Sequence, residues 1–344
     1  MKPFFLRDTK NFGDYSNHWL WPKLIGDLLD EEDNIRLVGI GSLLKSDLNY
    51  VAGKKIIFGP GSGYGSFPHL DSIKDWIFYF VRGPLTAEKF GLPPEKSIVD
   101  GAWLVSLLPD FAKEYKKKGV CFIPHWKTAE RGDWEQVCQA AGMMYIDPMD
   151  DFEKIVNAIA SSELVITESL HGAIFADLFR TPWIPVKISQ SFLNFKWIDW
   201  CQSIDVPFKI IQIPCSNFID CLSSNINPFG VNFKVNINDS VNIEPIKESV
   251  VKVIPPLYYK YLMILKKMLR IQREKMFRKM KIWNQGVLIK CWNEKYTTKL
   301  ANLLKNVSLL EPTLSNDKVK AEKIERLENI LYKLRKDYQN GFNV

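Results

Sequence analysis

Residues 163–187, ELVITESLHGAIFADLFRTPWIPVK, leave this chain few folds to choose from. Leu164 to Thr167 reads as a buried strand, Glu168 and Ser169 as a polar turn, Leu170 to about Phe179 as a helix, and Trp183 to Lys187 as a second strand. Leu170, Ile174 and Leu178 recur every four positions, with Ala173 and Phe175 beside them, as a helix packed on a sheet requires. Such a strand–helix–strand unit builds parallel sheet. In open sheets of that kind, ligands lie beyond the carboxyl ends of the strands. A helix start adds backbone N–H groups that favour an anion. Glu168, Ser169 and His171 fall at that junction, and Gly172 leaves room for a ligand to approach the backbone. A lone His on a helix is ordinarily structural. This location makes His171 the leading candidate for chemistry.

The same rhythm extends through most of the chain. In the first half, strands are expected at Lys2 to Leu6, Ile35 to Ile40, Lys55 to Phe58, Phe78 to Arg82 and Ile98 to Leu104, with a helix over Asn17 to Leu29. The charged run AKEYKKKG follows, and a boundary is expected near residue 115. In the second half, Val120 to Ile123, Met143 to Ile146 and Phe208 to Ile211 read as strands, and Trp134 to Ala141, Phe152 to Ala160 and Ile198 to Ser203 as helices. The expected architecture is α/β, with two Rossmann-like domains facing a cleft, 1–115 and 116–215. An Asn- and Val-rich linker or irregular segment, 216–256, then leads to a basic helical extension, 257–344.

Polar groups at the expected strand ends are the site candidates, each with a plain structural alternative. Asn11, Gly13 and Asp14 follow the first strand, where Asp14 is either functional or a helix cap. Gly61 and Ser62 belong to FGPGSGYG, which has neither the Lys of a P-loop nor the G-x-G-x-x-G spacing, so it is a turn or a ligand loop. Arg82, closing a strand before Gly-Pro, suits a carboxylate or phosphate. Asp100, inside IVDGAWLV, is a buried carboxylate that needs a partner or a base that faces an acceptor. His125, after Ile123-Pro124, is a site residue or a hydrogen-bonded loop His. Glu168, Ser169 and Lys187 complete the set, while His18 and His69 read as surface or structural.

The formal charge of +7 is local: twelve Lys or Arg between Lys260 and Lys299 stand against Glu274 and Glu294. Within that stretch, Leu257 to Trp283 reads as an amphipathic helix that either lies on an anionic membrane surface or packs on the protein. No nucleic-acid module accompanies the charge, so nucleic acid is not an expected partner. The apolar spacing of Ile324, Leu327, Leu331 and Leu334 suggests a last helix able to pair with another copy in a homo-oligomer. Six cysteines without a CxxC pair argue against a metal site and read as buried thiols of a reducing compartment. No apolar run has the length of a signal peptide or of a membrane span, so a cytoplasmic protein is expected, with the inner face of the membrane as a peripheral location.

Taken together, Asn11 to Asp14 (NFGD), the GPGSG turn, Val81 to Thr86 (VRGPLT), Asp100 to Ala102, Ile123 to His125 (IPH) and ESLHGAIFAD before PWIPV make the chain resemble the polysaccharide pyruvyl transferases over roughly residues 1–215. Where that family often has Asp-Pro-Ala, this chain has Asp100-Gly101-Ala102. The resemblance implies a glycosyltransferase-B-like (GT-B-like) domain pair. It also implies transfer of the enolpyruvyl carbons of phosphoenolpyruvate, a co-substrate, onto two sugar hydroxyls. A cyclic ketal forms, phosphate is released, and no cofactor is needed. The acceptor would be a surface polysaccharide or its lipid-linked precursor. Arg82 carries over as the anion clamp and His171 as general acid or phosphate clamp, with Asp14 or Glu168 as the acceptor's base. A glycosyltransferase with a nucleotide-sugar donor, or a scaffold of a polysaccharide-assembly complex, would share the fold.

Overall fold

The computed structural model describes residues 1–5, 11–63, 65–111, 114–189, 192–223, 226–227, 231–238, 268, 272 and 287–342. The first half forms a four-stranded sheet from β1 (Lys2–Phe4), β2 (Ile35–Val38), β3 (Lys54–Phe58) and β4 (Ile77–Phe80), every neighbouring pair parallel. Between β1 and β2 runs α1 (Phe12–Ile25), and after β4 comes α2 (Pro84–Lys89). In the second half, β5 (Val120–Ile123) leads through α3 (Trp126–Arg131) and α4 (Trp134–Ala141) to β6 (Met144–Tyr145), then through α5 (Phe152–Ala160) to β7 (Leu164–Thr167). There follow α6 (Leu170–Leu178), β8 (Trp183–Lys187), α7 (Asn194–Ser203), β9 (Ile210–Gln212), α8 (Phe218–Ser223) and β10 (Asn236–Asn238). The sheet order is β10-β9-β8-β7-β5-β6, parallel except for the antiparallel β10–β9 edge.

This order places a functional opening. From β5 the chain steps to β6 on one side, then crosses back to β7 on the other, so β5 and β7 are neighbours whose connections diverge. The crevice beyond their carboxyl ends is a topological switch point, where open α/β sheets bind ligands. His125 follows β5 there, and Glu168 follows β7. Leu164 to Thr167 are all buried, as a central strand covered on both faces must be.

Several expectations need correction. The first helix begins at Phe12 rather than Asn17, because the Asn11 side chain caps it by accepting from Gly13 N–H. NFGD is thus a helix start, not a loop. Ile98 to Leu104 is not a strand: Asp100 accepts from Ala102 N–H and caps a 3-10 helix, Gly101–Leu107, while Ser97 makes an isolated bridge to Val81. The segment expected to be irregular supplies the edge strand β10. Cys121, Cys138 and Cys201 are free and buried, but Cys215 and Cys221 form a disulfide. The end of β9 and the first turn of α8 bring their Cα atoms to 5.1 Å, within bridging distance.

The two sheets share one large apolar core. Ile56 and Phe58 of the first half belong to the same buried cluster as Ile123, Val165 and Trp183 of the second. Across the junction, Phe12 N–H donates to Pro148 O at 3.0 Å, Trp103 Nε1 to Ile174 O at 3.3 Å and Trp19 Nε1 to Glu153 Oε1 at 2.6 Å. The C-terminal helices close the body. Leu300, Leu303 and Leu304 of α9 (Val287–Val307) share a core with Trp134, Val137 and Cys138 of α4. In α10 (Asp317–Gln339), Leu327 and Leu334 are fully buried in the large core, Asp337 accepts from Tyr79 OH at 2.7 Å, and Arg335 pairs with Asp27 at 2.7 Å. The last helix therefore buries Leu327 and Leu334 inside its own chain. The amphipathic reading of 257–283 lies outside the described residues, except that Met268 and Gln272 are helical.

Candidate active site

His171 stands in the first turn of α6 and is 7 % exposed. Its ring rests on α1: a Cβ added to Gly13 would lie 2.1 Å from His171 Nδ1, so only glycine fits beneath it. On the far side, His171 Nε2 is 3.9 Å from Asp100 Oδ1. Among the described residues neither Nε2 nor Asp100 Oδ2 has a hydrogen-bond partner, although both are buried. Such orphaned polar groups are costly and are kept where a ligand or proton completes them. Burial, with the positive charges of Lys196 and Arg82 nearby, pushes the imidazole down to about 3, so it is neutral at neutral pH. Burial lifts the Asp100 carboxyl to about 6, against the pull of Arg82 and the Ala102 N–H and with the push of Asp199 and Asp14.

The expectation that Arg82 opens toward a ligand is not met in this structure. Arg82 is 1 % exposed and spends its donors on protein: Nε on Asp199 Oδ2 at 2.9 Å, Nη2 on Ser62 O at 2.6 Å and Nη1 on Ser42 Oγ at 3.2 Å. Gly61 lies against that guanidinium, and Ser62 N–H donates to Thr86 Oγ1 at 3.1 Å. Buried cations need such partners. The charge of Arg82 still reaches both Asp100 and His171 and lowers the pKa of each.

Glu168 is likewise occupied. Oε2 accepts from His125 N–H at 3.1 Å, and Oε1 accepts from the N–H groups of Ile188 at 3.2 Å and Ser189 at 2.8 Å. The carboxylate thus ties the end of β5 to the end of β8, with Thr128 as a further donor, and this use of its lone pairs leaves it ill suited to serve as the acceptor's base. Gly172 does not make room for a ligand: the space a Cβ would take is filled by Thr167 Oγ1. His125 caps α3, accepting from Lys127 N–H at 3.4 Å, and burial with Lys196, Lys127 and Arg131 pushes it down to about 3. Ser169 precedes α6 without a side-chain cap bond and is 5 % exposed. Asn11 Nδ2 donates to Asp14 Oδ2 at 3.3 Å, which holds Asp14 within electrostatic reach of Asp100. Lys187 ends β8 with its ammonium 5.7 Å from the ring of Phe192, a residue that lines the switch-point cavity.

A cavity opens at the switch point, lined by His125, Glu168, Leu170, Ser189, Lys196 and Trp197 among others. Sequence reasoning missed two residues here, both from α7. Lys196 lines this cavity, and Asp199 neutralises Arg82. The signal was present in NFKWIDWC: an Asp that falls among buried tryptophans needs a cationic partner.

Comparison with known proteins identifies the family. The profile of the polysaccharide pyruvyl transferase family matches residues 10–190, which contain Asn11, Gly13, Arg82, Asp100, His125 and His171. The succinoglycan biosynthesis protein ExoV of Rhizobium meliloti (strain 1021) is 39 % identical over 238 residues, covering 68 % of this chain and 74 % of that protein. No solved structure matches the chain. With a family profile spanning more than half its length and a relative of this similarity, the chain belongs to the polysaccharide pyruvyl transferase family, and it is a polysaccharide pyruvyltransferase enzyme.

Proposed function

We propose that the donor is phosphoenolpyruvate and that the product is a cyclic pyruvate ketal on two hydroxyls of one sugar. One observation carries the reading: a buried, neutral imidazole with an orphaned Nε2 stands 3.9 Å from a carboxyl whose pKa burial lifts to about 6, within reach of the Lys196 charge, at the start of a helix. That arrangement suits a small substrate which is anionic and must be protonated on carbon. In the reaction, C3 of the enol takes a proton from the Asp100–His171 pair as the C2=C3 electron pair is used. The first sugar oxygen bonds to C2 and returns its proton to the pair. The C2–O bond to the phosphoryl group then breaks, and its electrons leave with phosphate. The second hydroxyl closes the ketal, and its proton departs with phosphate. Asp14, in the first turn of α1 and within electrostatic reach of Asp100, is the residue we assign to orient the acceptor. Arg82, paired with Asp199, holds its part of the wall in place and does not touch the donor.

Two parallel sheets with an opening at the second sheet's switch point support a GT-B-like pair of Rossmann-like domains. The relative's role in succinoglycan biosynthesis supports a surface polysaccharide or its lipid-linked precursor as acceptor. No helix among the described residues is long and apolar enough to cross a membrane, so such a precursor would be met at the membrane's face. The test is incubation with phosphoenolpyruvate and candidate lipid-linked sugars. Phosphate release should match a mass gain of one pyruvate less one water. A melting-temperature rise with nucleotide sugars and none with phosphoenolpyruvate would instead assign a glycosyltransferase.

A further inference from the structure

We propose that Lys196 receives the phosphate group of the donor, a role that rests on the phosphoenolpyruvate reading. Lys196 lies beyond the stretch matched by the family profile, which ends at residue 190. It stands on α7, and the structure shows how that helix is fixed in place. Asp199, one turn later, accepts from Arg82 Nε at 2.9 Å, Thr86 N–H at 2.9 Å and Thr86 Oγ1 at 2.7 Å. These bonds lock α7 onto the start of α2, in the other half of the chain. Residues three apart on a helix share a face. The lock that holds Asp199 therefore also directs Lys196 toward the first half.

The lysine stem runs past Gly63. A Cβ there would lie 3.0 Å from Lys196 Cδ and 2.8 Å from Ser42 Oγ, so the glycine leaves the passage open. Beyond it, Lys196 lines the switch-point cavity with His125, Glu168, Leu170 and Ser189. In that lining it is the one permanent cation among the described residues. His125 is held neutral by burial, and both Glu168 oxygens already accept backbone N–H groups. Arg82 does not line this cavity. Leu170, the first residue of α6, lines the same cavity, and a helix start with a lysine is a common phosphate cradle. The charge of Lys196 also reaches His125 and His171, as it must if its ammonium sits between them.

The test is calorimetric titration of the full chain with phosphoenolpyruvate, inorganic phosphate and pyruvate, beside steady-state kinetics. Lys196→Met should weaken phosphoenolpyruvate and phosphate together by roughly 10- to 100-fold, the effect of one lost charge-assisted hydrogen bond. Pyruvate binding should stay as in wild type, KM for the donor should rise more than kcat falls, and Lys196→Arg should recover most of the loss. If Lys196→Met melts well below wild type, Lys196→Gln is titrated in its place with the same expectation. A variant that binds phosphate as wild type does, or loses pyruvate instead, overturns the assignment of Lys196 while the donor reading stands. Wild-type protein that binds neither phosphoenolpyruvate nor phosphate overturns both.

Discussion

The Asp100–His171 pair sets the chemistry at the scale of single residues, because two groups that normally differ in charge at neutral pH are each pushed toward neutrality. Burial raises Asp100 from 3.8 to about 6. A carboxyl whose folded value lies above its unfolded one favours folding while protonated, and that contribution disappears as pH rises from about 3.8 to about 6. Arg82 and the Ala102 N–H oppose the shift, Asp199 and Asp14 reinforce it, and His171 stands 3.9 Å away. Asp100→Asn keeps an oxygen to cap the 3-10 helix but removes the titration. The melting temperature of wild type relative to Asp100→Asn should therefore drop between about pH 4 and about pH 7, and a flat difference would show that Asp100 is not held protonated. His171→Gln should cut phosphate release by about 100- to 10,000-fold with little change in melting temperature. Gly13→Ala places a methyl 2.1 Å from His171 Nδ1 and must shift the ring. We expect roughly a hundredfold loss of turnover, as ångström-scale misplacement of a reacting group produces. Unchanged turnover in Gly13→Ala would mean that the ring position is not critical.

Among the elements, α7 does more than its length suggests. It starts in the second half, packs Trp197 and Trp200 into the shared core, and extends Asp199 to Arg82 and α2. Both partners of that ion pair are buried, at 1 % and 0 % exposure. Removing one leaves an uncompensated buried charge, so Asp199→Ala should destabilise the fold by about 3–5 kcal/mol in denaturant titration. Loss of under about 1 kcal/mol would assign the pair to the surface class. The strand–turn–helix at Leu164 to Leu178 was legible from spacing alone, because apolar periodicity records which face is covered. The start of α1 was not. Its capping side chain, Asn11, sits in a polar run that loops and helix starts share.

For the whole molecule, the C-terminal helices matter most. The sequence pattern marked the last helix correctly but not its partner. Leu327 and Leu334 are fully buried in the core that joins both sheets, and Arg335 and Asp337 pin the helix to Asp27 and Tyr79. Deleting residues 311–344 would expose that core, and loss of a single cooperative thermal transition is expected. A truncated chain that melts as sharply as the full one would show that α10 is not integral to the core. An apolar stripe on a helix reports that something covers it, not what, so a second copy and the chain's own core look alike until the helix is placed.

By itself, the sequence determined the α/β class, the parallel strand–helix–strand unit around Thr167 and the place of His171 at a helix start, because those follow from local periodicity and turn chemistry. Only the tertiary structure decided which charges meet and which of them line the cavity. Arg82 is consumed by Asp199, 117 positions away in the chain, and Glu168 by backbone groups of two other loops. Lys196 reaches the cavity because Asp199 holds its helix there. Long-range pairing of buried charges depends on distances in space, which no spacing along the chain encodes.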